Sequence, residues 1–295
     1  MKVGIYGQFY HENSGQYIET LLDILNEKDV SVVIEENFLK LIRENKEINK
    51  DYPQFSTFEE LDHSYDLFFS IGGDGTILKT ITYVRDLGIP IVGINTGRLG
   101  FLATIQKEHI ATSVEKILTK DYRTSPRSLI QLETEEPKLQ EKIGLNFALN
   151  EITISRKNST SMISVETYLD GEYLTNFWAD GLIISTPTGS TGYSLSCGGP
   201  VIMPGNSSFV LTPIAPHNLN ARPLVVPDNV EISLKVSGRE EDHLVSLDSR
   251  IASIPVETKL ILKRTPFNIN MVTFANDTFI STLRKKLMWG EDKRN

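Results

Sequence analysis

The sequence predicts an α/β N-terminal domain with a parallel sheet flanked by helices, then an all-β C-terminal domain, with a C-terminal helix packing back on the first domain. Three observations predict it. Strand-like and helix-like patterns alternate as far as Tyr122, period-two alternation replaces them beyond it, and the tail from Asp277 to Trp289 returns to helical spacing. The expected domains are residues 1–122 plus 275–295, and residues 123–274.

Lys2 to Gly7 reads as a short apolar strand, and Tyr17 to Leu25 carries apolar residues at helical spacing. Ser31 to Ile34 is again β-branched, and Phe38 to Ile48 again helical. After a polar stretch holding Pro53, Asp66 to Ile71 reads as a buried strand that ends in Gly72-Gly73-Asp74-Gly75-Thr76. Ile77, Ile81 and Val84 then mark one face of a helix ending at Gly88, Pro90 to Ile94 gives another strand, and Ile110, Val114 and Leu118 mark another helix. In the second half Leu129–Glu133, Ile152–Ile154 and Ile163–Leu169 alternate with period two, and Asp170-Gly171 signals a hairpin. Leu182–Ser185, Val230–Val236, Leu244–Leu247 and Thr258–Lys263 are further strands. Glu133 to Lys142, charged and containing Pro137, reads as a surface hairpin loop. In the tail, Leu283 and Leu287 lie four apart, and Arg284, Lys285 and Lys286 complement the helix C-terminus.

A formal charge of −8 argues against a nucleic-acid partner held by bulk electrostatics. Small anionic ligands remain open, since they need only local positive potential. The single cysteine, Cys197, excludes an intramolecular disulfide framework and fits a reducing compartment. Met1 to Gly7 runs into a strand without an apolar targeting segment, and no apolar run suits a bilayer. A cytoplasmic protein with no membrane partner is expected.

Asp74 follows a buried strand and precedes a helix, where open parallel sheets bind ligands. The glycines allow a sharp turn and bring N–H groups close to a phosphate at a helix N-terminus. An aspartate there would repel phosphate unless it accepts a proton from an attacking hydroxyl or holds a divalent cation. The plain alternative is a strand-to-helix turn with Asp74 as helix cap. Walker A, Gly-x-Gly-x-x-Gly and His-Arg-Asp signatures are absent. A second unusual stretch runs from Asp180-Gly181 through Thr186-Pro187-Thr188-Gly189-Ser190-Thr191-Gly192-Tyr193 to Ser196, with eight hydroxyl-bearing residues between Ser185 and Ser196. Such a loop can wrap a polar ligand and offer Tyr193 to a ring, or it is a wide turn in a β domain.

In that order, Gly72–Thr76, Asn150-Glu151, Asp180-Gly181 and Thr186–Thr191 closely resemble the NAD kinase family. Asn95 to Leu102, Thr212 to His217 and Arg222-Pro223 are also similar to it. The Gly-Gly-Asp-Gly loop alone is shared with lipid kinases and phosphofructokinases. The resemblance implies transfer of a phosphoryl group from ATP to the 2′-hydroxyl of the adenosine ribose of NAD, with Asp74 as general base. It implies NAD contacts from Asp74, Gly75, Lys79, Asn150, Glu151, Asp180, Ala215 and the run Thr191, Gly192, Tyr193, Ser194, Leu195, Ser196. Gly72, Gly73 and Thr76 face the phosphate donor, and a divalent cation, Mg²⁺, arrives with the ATP phosphates. Homodimers or homotetramers are implied, in which a neighbouring subunit completes the site.

Two departures stand out. Gly192 replaces an alanine common in the family, and Asp248-Ser249-Arg250 stands where many members have Asp-Gly-Gln. Arg250 contacts NAD phosphate or pairs with a surface acid. Trp178 is ordinary packing or a ligand-facing aromatic, with packing favoured. His11, His63, His109, His217 and His243 show no spacing suited to a structural metal site. Two rivals remain: a lipid or sugar kinase sharing the glycine loop, and a non-catalytic NAD-binding sensor.

Overall fold

A computed structural model describes residues 1–8, 12–45, 50–97, 100–103, 105–158, 161–275 and 277–289. The chain divides into two compact units, Met1–Pro126 with Ile269–Asn295, and Arg127–Asn268.

The first unit opens with β1 (Lys2–Gly7), α1 (Glu12–Glu27), β2 (Ser31–Glu35), α2 (Glu36–Asn45) and β3 (Gln54–Phe55). It continues with β4 (Leu67–Ile71), α3 (Asp74–Val84), β5 (Ile91–Asn95), β6 (Ile105–Gln106) and α4 (Ile110–Leu118). The sheet order is β3-β2-β1-β4-β5, all parallel. Every residue of β4 and β5 is buried, as a sheet covered on both faces requires. The helices form where apolar residues recur at helical spacing. Ile18, Leu21, Leu22 and Leu25 of α1 pack with Ile110, Val114 and Ile117 of α4 in one core. Helix α2 starts where the buried Glu35 carboxylate accepts the Phe38 N–H at 2.8 Å. The helix expected to reach Ile48 is described only to Asn45; residues 46–49 lie outside the described residues.

The second unit begins within β7 (Arg123–Thr134), followed by α5 (Pro137–Ile143), β8 (Phe147–Ala148), β9 (Glu151–Arg156), β10 (Ile163–Leu169) and β11 (Glu172–Ala179). Next come β12 (Gly181–Ser185), α6 (Tyr193–Ser196), β13 (Ser208–Ile214), β14 (Leu224–Pro227), β15 (Ile232–Ser237), β16 (Asp242–Leu247), β17 (Arg250–Pro255) and β18 (Lys259–Thr273). One antiparallel sheet runs β14-β13-β12-β9-β16-β17, and β11-β10-β15-β18 pair antiparallel in a second. Their inner faces share a core that includes Ile152, Ile154, Leu182 and Ile184 from the first sheet, with Val165, Leu234, Val236 and Leu260 from the second. The expected hairpin turn is present, with Asp170 and Gly171 both at positive φ (49° and 83°).

The chain returns to the first unit inside β18, whose Met271 pairs in parallel with Ile91 of β5. It closes on α7 (Phe279–Leu287), capped by the Thr278 side chain accepting the Ser281 N–H at 3.1 Å. Leu283 is buried, and the Phe279 ring lies 6.2 Å from that of Phe101.

Two expectations are corrected. Glu133 to Lys142 is not a hairpin loop throughout, because Pro137 opens helix α5 at its first turn and buries Leu139 and Ile143, four apart. Trp178 is not packed, since its indole is 55% exposed on β11. No helix among the described residues is long and apolar enough to cross a membrane.

Candidate active site

In the first unit the glycine loop leaves β4 with Gly72 at φ 151°, a conformation that L side chains rarely adopt. A Cβ there would lie 2.2 Å from the Thr76 hydroxyl. Gly73 is the N-cap of α3 and supplies no side-chain cap. The first N–H groups of α3, with no intrahelical partners, therefore stand open at Gly73, Asp74 and Gly75. Gly73 and Gly75 are exposed, whereas Thr76 is buried.

Asp74 does not cap its own helix. Its carboxylate turns to the chain after β5, where Oδ2 accepts the Phe101 N–H at 2.7 Å and Oδ1 accepts those of Leu102 (3.0 Å) and Ala103 (3.1 Å). Gly100 makes this clasp possible, since a Cβ on it would fall 1.8 Å from Asp74 Oδ1. Gly93 lets the same segment press on β5, where a Cβ would meet the Ala103 backbone at 2.7 Å. Asn95 begins the connection by accepting the Gly97 N–H at 2.8 Å. Arg98 and Leu99 lie outside the described residues. An ionised carboxylate has about four lone-pair sites; three are taken here, and the one left is on Oδ2. Lys79 is exposed one turn along α3.

The second unit builds a separate polar nest around Asn150 and Glu151. Its organiser is Asp248, held at φ 52° in the turn between β16 and β17. The Asp248 carboxylate accepts the N–H groups of Leu149 (3.0 Å), Asn150 (2.8 Å) and Glu151 (3.3 Å). Burial pushes this carboxyl up, opposed by those three N–H bonds and by Arg250. Glu151 beside it is pushed up to about 8, first by burial and then by the Asp248 charge, against a hydrogen bond from the Tyr193 N–H. Its Oε2 is buried without a hydrogen-bond partner. A Cβ on Gly192 would approach that oxygen to 3.1 Å. Gly192 thus leaves open the space over a carboxyl that is mostly protonated at neutral pH and can donate as well as accept.

The hydroxyl-rich loop is divided between scaffold and surface. Thr186 donates through its hydroxyl to the Leu149 carbonyl at 2.5 Å and through its N–H to the Asn150 carbonyl at 2.9 Å. Gly189 packs so closely on Asn150 that a Cβ would lie 2.0 Å from its carbonyl oxygen. Ser190 accepts the Ile202 N–H at 2.9 Å, and Ser194 shares a hydrogen bond with Thr212 at 2.8 Å. Ser194 is fully buried, and its hydroxyl holds β13 to the loop. Tyr193 and Ser196 are exposed, while Thr191, Gly192 and Leu195 are partly so.

Asp180 pairs with Arg156 at 2.8 Å, and Ala215 is exposed at φ 43°. Arg250 turns to the main chain before the nest. Its guanidinium donates to the Leu145 carbonyl at 2.7 Å and to the Phe147 carbonyl, and it lies over the Phe147 ring. Arg250 therefore fixes β8, immediately before the nest. Reading the sequence missed Asp248 as organiser; its only signal was an acidic residue in a tight Asp-Ser-Arg turn. Among the described residues no group of three His, Cys, Asp or Glu could hold a metal ion.

Residues 3–122 match the family model of the ATP-NAD kinase N-terminal domain, and residues 149–272 that of the ATP-NAD kinase C-terminal domain. The chain is 63% identical over 295 residues to the NAD kinase of Christiangramia forsetii and 58% identical to that of Flavobacterium psychrophilum, with 100% of each chain covered. Among solved structures it is similar to an NAD kinase from Archaeoglobus fulgidus in complex with ATP, at 26% identity and a TM-score of 0.73, covering 98% of this chain and 99% of that one. A yeast NADH kinase complexed with NADH has the same fold, with a TM-score of 0.84 at 22% identity, covering 99% of this chain and 88% of that one.

Proposed function

The chain belongs to the NAD kinase family, and from that premise we propose how its residues carry out the phosphorylation of NAD by ATP. It is a phosphotransferase that converts NAD to NADP. The lipid-kinase, sugar-kinase and sensor readings are not favoured, because full-length relatives at up to 63% identity are NAD kinases.

The observation that carries the mechanism is the Asp74 clasp. Three main-chain N–H groups hold the carboxylate at the N-terminus of α3 and leave one lone pair, on Oδ2. That oxygen takes the proton of the adenosine ribose 2′-hydroxyl as the new O–P bond forms and the bond from the γ-phosphorus to the ADP oxygen breaks. The open N–H groups at Gly73 to Gly75 stabilise charge on the moving phosphoryl group, with Gly72 and Thr76 fixing the turn. Lys79 adds positive potential. Asn150 and Glu151 hold the ribose and base region, Glu151 donating through its protonated carboxyl. Tyr193 offers its exposed ring, and Thr191, Gly192, Leu195, Ser196, Asp180 and Ala215 complete the contacts. A divalent cation such as Mg²⁺, arriving with the ATP phosphates, would supply neutralising charge there. The assignment of two domains, residues 1–122 plus 275–295 and 123–274, is supported by two compact units with bounds a few residues away, and a cytoplasmic setting suits the lone Cys197. A homodimer or homotetramer fits the exposure of Trp178 and Tyr173 on the edge strand β11.

The test is NADP formation from ATP, Mg²⁺ and NAD by wild type and Asp74→Asn. Removing the base is expected to lower kcat by about 10² to 10⁴, with NAD still bound. Undiminished turnover by the variant would remove Asp74 from the chemistry.

A further inference from the structure

The first unit holds a pocket of about 330 Å³ that the proposed reaction does not use. Its wall is basic although the protein as a whole carries a charge of −8. Lys116 from the last turn of α4, Lys285 from the last turn of α7 and His109 just before α4 all line it. Among the described residues neither lysine is neutralised by an ion pair. Among the described residues the single acid of the lining is Asp277. Burial pushes its carboxyl up, and Lys116, Lys285 and His109 pull it down, so the three basic groups and the acid act on one space.

Among the described lining residues one carboxylate faces two lysines, which leaves an excess of positive charge there. Lysines in a last helical turn ordinarily complement their own helix C-termini. These two instead flank a cavity that also receives the start of α4, where a helix favours negative charge. The buried Phe274 ring supplies an apolar wall, with Lys116 Nζ 5.7 Å from its centroid. The volume falls at the small end of ligand pockets. We propose that this pocket binds a small phosphate-bearing anion, its phosphate held between Lys116 and Lys285 and its organic part set against Phe274. The inference stands apart from the kinase reading, since none of these residues belongs to the Asp74 clasp or the Asn150–Glu151 nest.

The full-length protein is titrated calorimetrically with inorganic phosphate and, separately, with glycerol phosphate. Wild type and Asp74→Asn are expected to bind alike, and Lys116→Ala/Lys285→Ala at least about tenfold more weakly. NAD phosphorylation by that double variant, in phosphate-free buffer, should stay within about twofold of wild type. Tighter binding of the ester assigns the ligand as an organic phosphate, and equal binding assigns free phosphate. Either anion bound equally by wild type and double variant, or neither bound by wild type, overturns the proposal. If the double variant does not fold, Lys116→Gln and Lys285→Gln singly carry the same comparison, and Lys116→Arg/Lys285→Arg should retain binding.

Discussion

At the scale of single residues, their surroundings set three carboxyl groups apart. Asp74 meets three N–H donors, Asp248 three more, and Glu151 Oε2 none. In Glu151 protonation is linked to stability. Its folded pKa, about 8, lies above the ordinary value of 4.5, so burial costs stability once the group must ionise. The contribution of the protonated form is complete below about pH 4.5 and is lost as pH rises through about 8. Glu151→Gln should therefore melt higher than wild type at pH 8, by a margin on the order of a few kcal/mol that vanishes near pH 4.5, measured by thermal melts across that range. A margin independent of pH would contradict the protonated carboxyl. Gly100→Ala forces a Cβ into the Asp74 carboxylate. It should lower kcat at least about tenfold and destabilise by about 1–3 kcal/mol, read by steady-state kinetics and urea titration. Gly72 and Asp74 were legible as a strand-to-helix turn because the glycine spacing is local. Gly100 as the partner of Asp74 was not, since nothing in a sequence of single residues tells which backbone a carboxylate will meet.

At the scale of elements, turns between strands position the chemistry. The β16–β17 turn places Asp248 under the start of β9, and the Thr186–Ser190 segment grips the same backbone from β12. Asp248→Ala strands the part-buried N–H groups of Leu149, Asn150 and Glu151. Its expected cost is about 2–4 kcal/mol in denaturant unfolding together with a raised KM for NAD, while Asp180→Ala, at a partly exposed ion pair, should cost about 1 kcal/mol or less. Equal costs would mean that Asp248 is not the organiser. Arg250 belongs to the same scale: it ties the Leu145 and Phe147 carbonyls, so Arg250→Gln should lower the melting temperature more than it changes NAD affinity. Strand alternation revealed β10, whose buried positions recur every second residue. It missed β13, which is buried almost throughout and has no alternation, and β14, where prolines mask a short edge strand. It misread α5, because a seven-residue helix with two buried positions carries little periodic signal.

At the scale of the whole molecule, the first compact unit is made from both ends of the chain, since β18 brings Met271 beside Ile91 and α7 returns Leu283 and Phe279 to it. Ending the chain after residue 276 should lower the stability of that unit by several kcal/mol, through the lost burial of Leu283 and the exposure of Phe101. Hydrogen exchange would show faster exchange in α4 and β5 and little change in β9 or β12. Uniform loss of protection would show that the units do not hold their stability separately. Trp178→Asp tests the assembly: a charge on the exposed edge strand should shift a dimer or tetramer to smaller species in sedimentation.

The sequence by itself determined the α/β-then-β order, the glycine turn at Gly72–Thr76 and the membership signalled by Asn150-Glu151 and Thr186–Thr191. These depend on periodicity, on φ values only glycine takes freely and on short contiguous motifs, all of which are local. Tertiary structure alone decided that Asp74 is clasped by Phe101, Leu102 and Ala103, that Asp248 anchors the Asn150–Glu151 nest, that Ser194 and Arg250 serve the scaffold, and that Lys116 and Lys285 share a pocket. Each of those facts depends on which distant backbone or side chain fills the space beside a polar atom. Burial fixes that, because a buried charge or hydrogen-bonding group must find a partner wherever the fold supplies one.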